Sequence, residues 1–300
     1  MSLDSASCPF CRAATASQWS SDGARALYRC DVCEVVFYPR PIEYPADYGN
    51  YYPYLKAFDA ARFRWELGIR RDKYRHQLRL IRSMAPDARA LLDVGAGPGY
   101  FCRIALDEGW AARGVEYSPP AIEAGRREFS IAYVDLEQVE DGSVDAVTCF
   151  HVLEHMEAPA EFLATLRRKL RTGGVLVVHV PNNEPLSFAL RNLVGARRGA
   201  ARLSHCYYPE HLTGFSPGSL PRVVSRLGFE AIRVRTVSMW SAFYDPFFLL
   251  NYFRDAGGRP LIRVNYRGLV IHTLRCMVDV FGSLFGRGDW VVGHFRAIPA

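Results

Sequence analysis

Leu91-Leu92-Asp93-Val94-Gly95-Ala96-Gly97-Pro98-Gly99-Tyr100 reads as a short buried strand running straight into a glycine turn. Phe101 to Gly109 (FCRIALDEG) follows with helical spacing, so the unit is strand, glycine loop, helix. Such a loop brings bare backbone N–H groups and a helix N-terminus up to a ligand. The expectation is a nucleotide-like cofactor at the carboxyl edge of a doubly wound sheet. A dinucleotide fingerprint, G-x-G-x-x-G, would need glycine at 100, where this chain has Tyr100; its own pattern is Gly95-x-Gly97-x-Gly99.

Working downstream, the α/β alternation repeats. Ala111 to Glu116 is an apolar strand ending on an acidic residue, and a carboxylate there can accept both hydroxyls of a ribose. Ser118-Pro119-Pro120 opens a helix over 121–128, with Ser118 as its N-cap. Ile131 to Val134 is a third short strand, followed by Asp135-Leu136. Val144 to Phe150 is a fourth, followed by His151-Val152-Leu153-Glu154-His155, in which Glu154 and His155 read as caps of the next helix or cofactor packing ahead of catalysis. A helix over 158–170, a strand over 175–180 ending at Asn182-Asn183, a strand over 229–236 and a last strand over 290–298 complete the pattern. Ser216-Pro217 reads as cap and first turn of a helix over 218–227. Upstream, Phe63, Leu67, Tyr74, Leu78 and Ile81 recur at helical spacing within 58–84. The arginine-rich face opposite them is by default solvated, or else meets phosphate or lipid.

Cys8-Pro9-Phe10-Cys11 and Cys30-Asp31-Val32-Cys33 are two C-x-x-C knuckles at the spacing of a metal ribbon, C-x2-C-x15–20-C-x2-C. Two knuckles aim four thiolates at one point and complete a tetrahedron with no open position, which describes a structural site. Zinc is the expected ion; iron fits the same cage, and disulfides or a redox pair are the other readings. So small a segment must draw its folding energy from the metal. Residues 17–21 and 26–29 are its expected strands, and the tyrosine-rich run 44–54 is an irregular link. The remaining cysteines, Cys102, Cys149, Cys206 and Cys276, are scattered and read as free thiols.

Three hundred residues with 49% hydrophobic content allow one large domain with appendages. A net charge of +6 admits an anionic substrate, including a nucleotide- or lipid-linked one, without calling for nucleic acid. The polar first seven residues are not a secretory signal, and no apolar run reaches the ~18 residues of a membrane span. The expected location is cytoplasmic, with peripheral membrane contact left open.

With these motifs in place, the stretch around Gly95 resembles the first motif of class I S-adenosylmethionine (SAM) methyltransferases, (L/V)-L-D-x-G-x-G-x-G. His151 to His155 resembles the H-V-L-E-H element of the ubiquinone-type and sugar-type members. Tyr207-Tyr208-Pro209-Glu210-His211 resembles the Y-x-E-H element of zinc-ribbon-bearing deoxysugar C-methyltransferases, and His211 to Ser216 resembles the H-L-x-x-F-S element of broader members. The resemblance implies a Rossmann-like, mostly parallel seven-stranded sheet whose antiparallel last strand lies beside strand five. It implies SAM contacts from Asp93, Gly95, Ala96, Gly97, Gly99 and Tyr100 in the loop. Glu116 and Tyr117 would meet the ribose, Asp135 and Leu136 the adenine, and Phe150 and His151 the fourth-strand exit. It further implies an active site of Tyr208, Glu210 and His211, with His211 as general base and His155 close by.

The expected organisation is a zinc-ribbon module over 1–40, a linker and basic helix over 41–84, and a methyltransferase domain over 85–300 with helical insertions at 184–206 and 240–288. The expected activity is methyl transfer to O or C of a small-molecule acceptor such as a sugar, a glycolipid or a natural product. Two alternatives are a SAM-binding scaffold that uses the ribbon for a partner, and methylation of protein or RNA. The fourth-strand exit carries His151-Val152-Leu153-Glu154 rather than N/D-P-P-(Y/F/W), which disfavours methylation of base amino groups.

Overall fold

Tight turns at the two knuckles organise the first sheet. A computed structural model describes residues 7–21, 26–38, 59–196, 211–238, 274 and 277–299. In it β1 (Ala16–Ser21), β2 (Ala26–Cys30) and β3 (Val36–Phe37) form an antiparallel ribbon. Arg12 and Glu34, each just past a knuckle, take left-handed φ of 57° and 62°. That closes each turn, so that the N–H of Arg12 donates to the Cys8 carbonyl and that of Glu34 to the Cys30 carbonyl, both at 2.9 Å.

The segment 58–84 is one helix, α1 (Ala60–Met84), capped by Asp59, whose carboxylate accepts from the Arg62 N–H at 2.7 Å. Its arginines are not simply solvated. Arg62 and Arg70 fold back onto Glu66, which is 1% exposed, and Arg75 reaches Glu108 at 2.7 Å. The helix lies against the element that follows the glycine loop, so its flanks are half-buried and cations there take carboxylate partners.

The main body continues β4 (Ala90–Val94), α2 (Tyr100–Asp107), β5 (Ala111–Val115), α3 (Pro119–Phe129), β6 (Val144–Phe150), α4 (Pro159–Lys169) and β7 (Leu170–Pro181). Then come α5 (Leu186–Ala196), β8 (Thr213–Gly214), α6 (Ser219–Ser225), β9 (Phe229–Val237) and β10 (Trp290–Ala297). The second sheet runs β5-β4-β6-β7-β10-β9. Its β5, β4, β6 and β7 pair in parallel, and β10 is antiparallel to both neighbours. This is the Rossmann-like arrangement with the antiparallel last strand beside strand five. The expected third strand shrinks to one bridge, Gly114 with Tyr133. The chain bonds Gly114 on both sides and then turns into a 3-10 turn at Leu136–Gln138, leaving no length for a ladder.

Two caps behave differently. The Ser216 hydroxyl accepts from the Ser219 N–H at 3.1 Å, entering α6. Ser118 makes no side-chain cap bond: Pro120 has no N–H to give its hydroxyl, and the Ala121 N–H donates to the Ser118 carbonyl at 3.1 Å instead.

The ribbon does not stand apart. Strand β3 pairs antiparallel with β8, a strand from far along the chain, as Val36 with Gly214 and Phe37 with Thr213. Cys8, Cys30, Cys33, Val35 and Phe37 lie in the same buried cluster as Leu153, Val180 and Phe215. The rings of Phe10 and Phe215 meet edge-on at 5.6 Å. Within the expected insertions, α5 and a helix over 277–283 are described. No helix among the described residues is long and apolar enough to cross a membrane.

Candidate functional site

The glycines of the loop after β4 are there for steric reasons. Gly95, Gly97 and Gly99 have φ of 75°, 53° and 81°, a region side chains rarely enter. A Cβ on Gly95 would stand 2.1 Å from Cγ2 of Val152, and one on Gly99 would stand 2.5 Å from Ile131. A side chain at Gly95 or Gly99 would collide with Val152 or Ile131, so the loop runs there as bare backbone, which fits close approach of the nucleoside end of SAM.

Glu116, past β5, faces this loop. Its carboxylate accepts from the N–H groups of Gly97 at 2.7 Å, Tyr117 at 2.8 Å and Ser118 at 2.9 Å. A carboxylate offers about four acceptor sites, so with three taken roughly one is left for a ribose hydroxyl, and accepting a second hydroxyl requires one of the three N–H groups to yield. Tyr117 is 76% exposed. Partial desolvation of its hydroxyl, then the charges of Asp135, Glu137 and Glu116, push its phenol up. Asp135 is exposed and Leu136 buried at the same edge. Tyr133, which the sequence reading passed over, donates its hydroxyl to the Gly97 carbonyl at 2.8 Å and props the loop from below.

Asp93 is placed beneath the loop, 3% exposed, and accepts from the Thr148 hydroxyl at 2.6 Å. Burial, with the Glu116 charge adding, pushes its carboxyl up to about 7, against the hydrogen bonds from Thr148 and Cys102. The native state therefore binds a proton here that the unfolded chain releases near 4. This contribution to stability is whole below pH 4 and is lost as pH rises to about 7. Asp93→Asn is expected to raise stability at pH 8 by on the order of 2–4 kcal/mol, the gain shrinking between pH 7 and 5. Thermal unfolding of both proteins across that range checks it; a gain independent of pH would contradict it.

The exit of β6 carries the second half of the site. Phe150 packs edge-on against Phe101 at 5.1 Å, and Tyr74 stacks on it at 6.4 Å. His151 takes a left-handed φ of 60°, a strained conformation for a side chain with a Cβ. Its N–H donates to the His179 carbonyl at 2.9 Å, and its ring lies 4.6 Å from that of His179 and 4.2 Å from that of Trp290. Val152 then covers Gly95, which ties the two loops together.

Glu154 and His155 sit in a 3-10 turn ahead of α4 and do not cap it; the cap position belongs to Ala158. Glu154 is 1% exposed and surrounded by imidazoles. Burial pushes its carboxyl up, but His151, His155 and His211 outweigh burial and hold it below the ordinary value. The His151 Nδ1 stands 3.6 Å from its Oε1. The His155 and His211 rings meet edge-on at 4.7 Å, and the ligand atoms of Glu154, His155 and His211 all lie within 4.8 Å of one another. His211 arrives from far along the chain because the Leu212 N–H donates to the Glu154 carbonyl at 2.8 Å. The next two residues are β8, paired with the ribbon. Tyr208 and Glu210 lie outside the described residues, as do the link over 44–54, Arg197, Arg198, Arg202, Cys206 and Cys276. Asn182 faces inward as a turn residue, donating to the Gly288 carbonyl at 2.6 Å.

The four knuckle thiols converge. Cys8 and Cys33 are 3.4 Å apart at sulfur, Cys11 and Cys30 3.4 Å, and Cys11 and Cys33 3.7 Å. Disulfide sulfurs would be ~2.05 Å apart, whereas ligands at ~2.3 Å around one tetrahedral ion are separated by ~3.8 Å. The donor set and spacing fit one four-thiolate metal ion.

A family model described as a methyltransferase domain matches residues 67–234. A ubiquinone biosynthesis O-methyltransferase of Xanthomonas oryzae pv. oryzae is 32% identical over 158 residues, covering 47% of this chain and 66% of that protein. One from Alkalilimnicola ehrlichii is 30% identical over 112 residues, 34% of this chain and 45% of that protein. The chain thus spans 66% or less of the length of these relatives. Among solved structures, a Haemonchus contortus phosphoethanolamine N-methyltransferase 2 in complex with SAM superposes with a TM-score of 0.54 at 15% identity. The match covers 88% of this chain and 62% of that one, and it shows a shared fold.

Proposed function

This chain belongs to the methyltransferase-domain family, and we propose on that footing that it moves a methyl group from SAM to an oxygen or carbon of a small acceptor, with His211 taking the acceptor's proton. SAM supplies the electrophilic methyl on its sulfonium. The chain's own residues would do the rest. The loop from Gly95 to Gly99 and Glu116 hold the nucleoside, with Asp135 at the adenine edge. Phe150 and His151 border the methionine side. Glu154 stabilises the imidazolium that His211 becomes when it accepts a proton, as a buried carboxylate does beside a general base. Cys8, Cys11, Cys30 and Cys33 hold a structural zinc.

The observation that carries this reading is the meeting of His211 with His155 and Glu154 beside the fourth-strand exit, brought about by the Leu212 to Glu154 hydrogen bond. His211→Ala is expected to lower methyl transfer from labelled SAM ~10²–10⁴-fold, as loss of a general base does, while SAM binding is kept. The assay uses catechol, sugar-nucleotide and polyketide acceptor panels. Unchanged transfer in the variant would discard the base. Activity lost to a chelator that leaves the cysteine site loaded, and restored by a divalent cation, would hand the three residues to a metal instead.

A further inference from the structure

Residues 185–207 and 246–288 hold ten arginines, no lysine and two carboxylates, Asp255 and Asp279. Their joint net charge of +8 exceeds the +6 of the whole chain, so the remainder is acidic on balance. Each stretch contributes a described helix, α5 and the helix over 277–283. The inner sides of these helices are committed. The Asp279 carboxylate, 0% exposed, accepts from the Ser187 N–H at 3.0 Å and from the Ser187 hydroxyl at 2.8 Å. The Leu186 N–H donates to the Arg287 carbonyl at 2.8 Å. Gly282 approaches Leu186 so closely that a Cβ there would stand 2.7 Å from its side chain. Phe188 stacks on Trp19 of the ribbon at 6.2 Å.

The outer sides are apolar and open. Leu190 and Leu193 of α5, with Met277, Phe281, Leu284 and Phe285 along the second helix and its turn, are between 46% and 76% exposed. Steps of three or four residues set them on one side of each helix. The rings of Phe281 and Phe285 meet at 5.1 Å. Six large apolar side chains on two locked helices go beyond the single apolar residues that an ordinary surface carries. Among the described residues of these helices the one carboxylate is Asp279, which is turned inward, while Arg287 in the following turn is exposed. Open apolar side chains, no outward carboxylate and arginine-rich adjoining sequence together suit an anionic lipid surface, which offers both negative charge and an apolar layer. A nucleic acid would meet the arginines but leave Leu284 and Phe285 in water.

We infer that this face docks on a bilayer containing anionic lipid. Leu190, Leu193, Phe281, Leu284 and Phe285 enter the boundary between headgroups and acyl chains, and the arginine-rich sequence draws the chain to lipid phosphate. The inference stands apart from the methyl-transfer reading. It also sets the docked face beside the candidate site. β7 ends at Pro181 opposite Trp290, whose ring lies 4.2 Å from that of His151. The chain enters α5 and leaves the second helix within a few residues of that pair, so face and site share one edge of the sheet.

Flotation of the full chain with lipid vesicles tests it. The chain is expected to bind vesicles of phosphatidylcholine mixed with phosphatidylglycerol, to lose that binding steeply as salt is added, and to bind phosphatidylcholine alone only slightly. Phe281→Glu and Leu284→Glu should each weaken binding to the mixed vesicles ~10-fold or more, since each takes a large apolar side chain out of the lipid and adds a charge of the lipid's own sign. Ile232→Glu, also at an exposed apolar residue but on β9 outside the face, should bind as the native chain does. Unfolding curves confirm that each variant is folded. No binding to the mixed vesicles overturns the inference. Equal binding by the native chain, Phe281→Glu and Leu284→Glu overturns it too, because arginine alone would then serve, as it would for a nucleic acid. Sedimentation without lipid covers the other occupant: a dimer that both variants dissociate would give the face to a second copy of the chain and overturn the lipid assignment.

Discussion

Cys33→Ser is expected to cost this protein its ribbon and, with it, the position of His211. A ribbon bounded by residues 7 and 38 has too little apolar surface to fold alone, and a structural zinc contributes ~10–16 kcal/mol in comparable small modules. In the zinc site proposed above, losing one of the four thiolates releases the ion. Cys8, Val35 and Phe37, all between 0% and 2% exposed, would then lose the frame that holds them in the shared cluster. β3 would leave β8, and the hydrogen bond from the Tyr38 N–H to the Leu212 carbonyl, 3.1 Å, would go with it. The segment after His211 would then be held by the Leu212 N–H to Glu154 carbonyl bond at 2.8 Å and, further on, by the Asn183 N–H to Phe215 carbonyl bond at 2.7 Å. Methyl transfer should fall ~100-fold or more, since misplacing a catalytic group by ~1 Å already costs that much. The melting temperature should drop by roughly 5–10 °C. SAM affinity should hold within about threefold, because the glycine loop belongs to the other sheet. Metal content, calorimetry and a methyl-label assay on the same preparation decide it. Full transfer by a metal-free variant would show that the ribbon does not position His211.

Gly95→Ala should remove SAM binding while leaving a folded protein. Two costs combine at this position. A φ of 75° charges alanine ~1–2 kcal/mol for its Cβ alone. The new atom would also stand 2.1 Å from Cγ2 of Val152. Val152 cannot step aside cheaply, because His151 before it is left-handed and Leu153 after it is 0% exposed. The loop must therefore move, taking the Gly97 N–H away from Glu116. SAM affinity should fall ~100-fold or more, about 3 kcal/mol, with a stability loss of ~1–3 kcal/mol. Gly109→Ala is the control. It carries a similar φ of 79° but has open space where its Cβ would sit. It should cost about 1 kcal/mol of stability and nothing in SAM affinity.

The glycine loop, the knuckles and the β6 exit were legible because each is a local device. Gly95, Gly97 and Gly99 are spaced as consecutive backbone demands, and Cys8 with Cys11, or Cys30 with Cys33, are three residues apart. Periodicity likewise located α1, α4 and β10 to within a few residues. Misreadings arose mainly where a residue's partner was not sought. Arg64, Arg71 and Arg79 of α1 are exposed as expected, but Arg62 and Arg70 meet Glu66 four residues away on the same helix, and Arg75 reaches the remote Glu108. Ile131 to Val134 had the composition of a strand, yet a lone bridge forms because the chain turns away immediately after it.

By itself, the sequence determined the doubly wound sheet, the glycine cradle after β4 and the four-thiolate cage. All follow from short-range sterics and hydrophobic period, which neighbouring residues carry in full. Only the tertiary structure decided that the ribbon's last strand pairs with β8, that His211 meets His155 and Glu154, and that Phe150, His179, Val292 and Arg235 fall into one row beneath α1. Those are contacts between elements from tens to nearly two hundred residues apart. They are fixed by sheet order and strand register, and a one-residue slip in that register would turn every side chain of a strand to its other face.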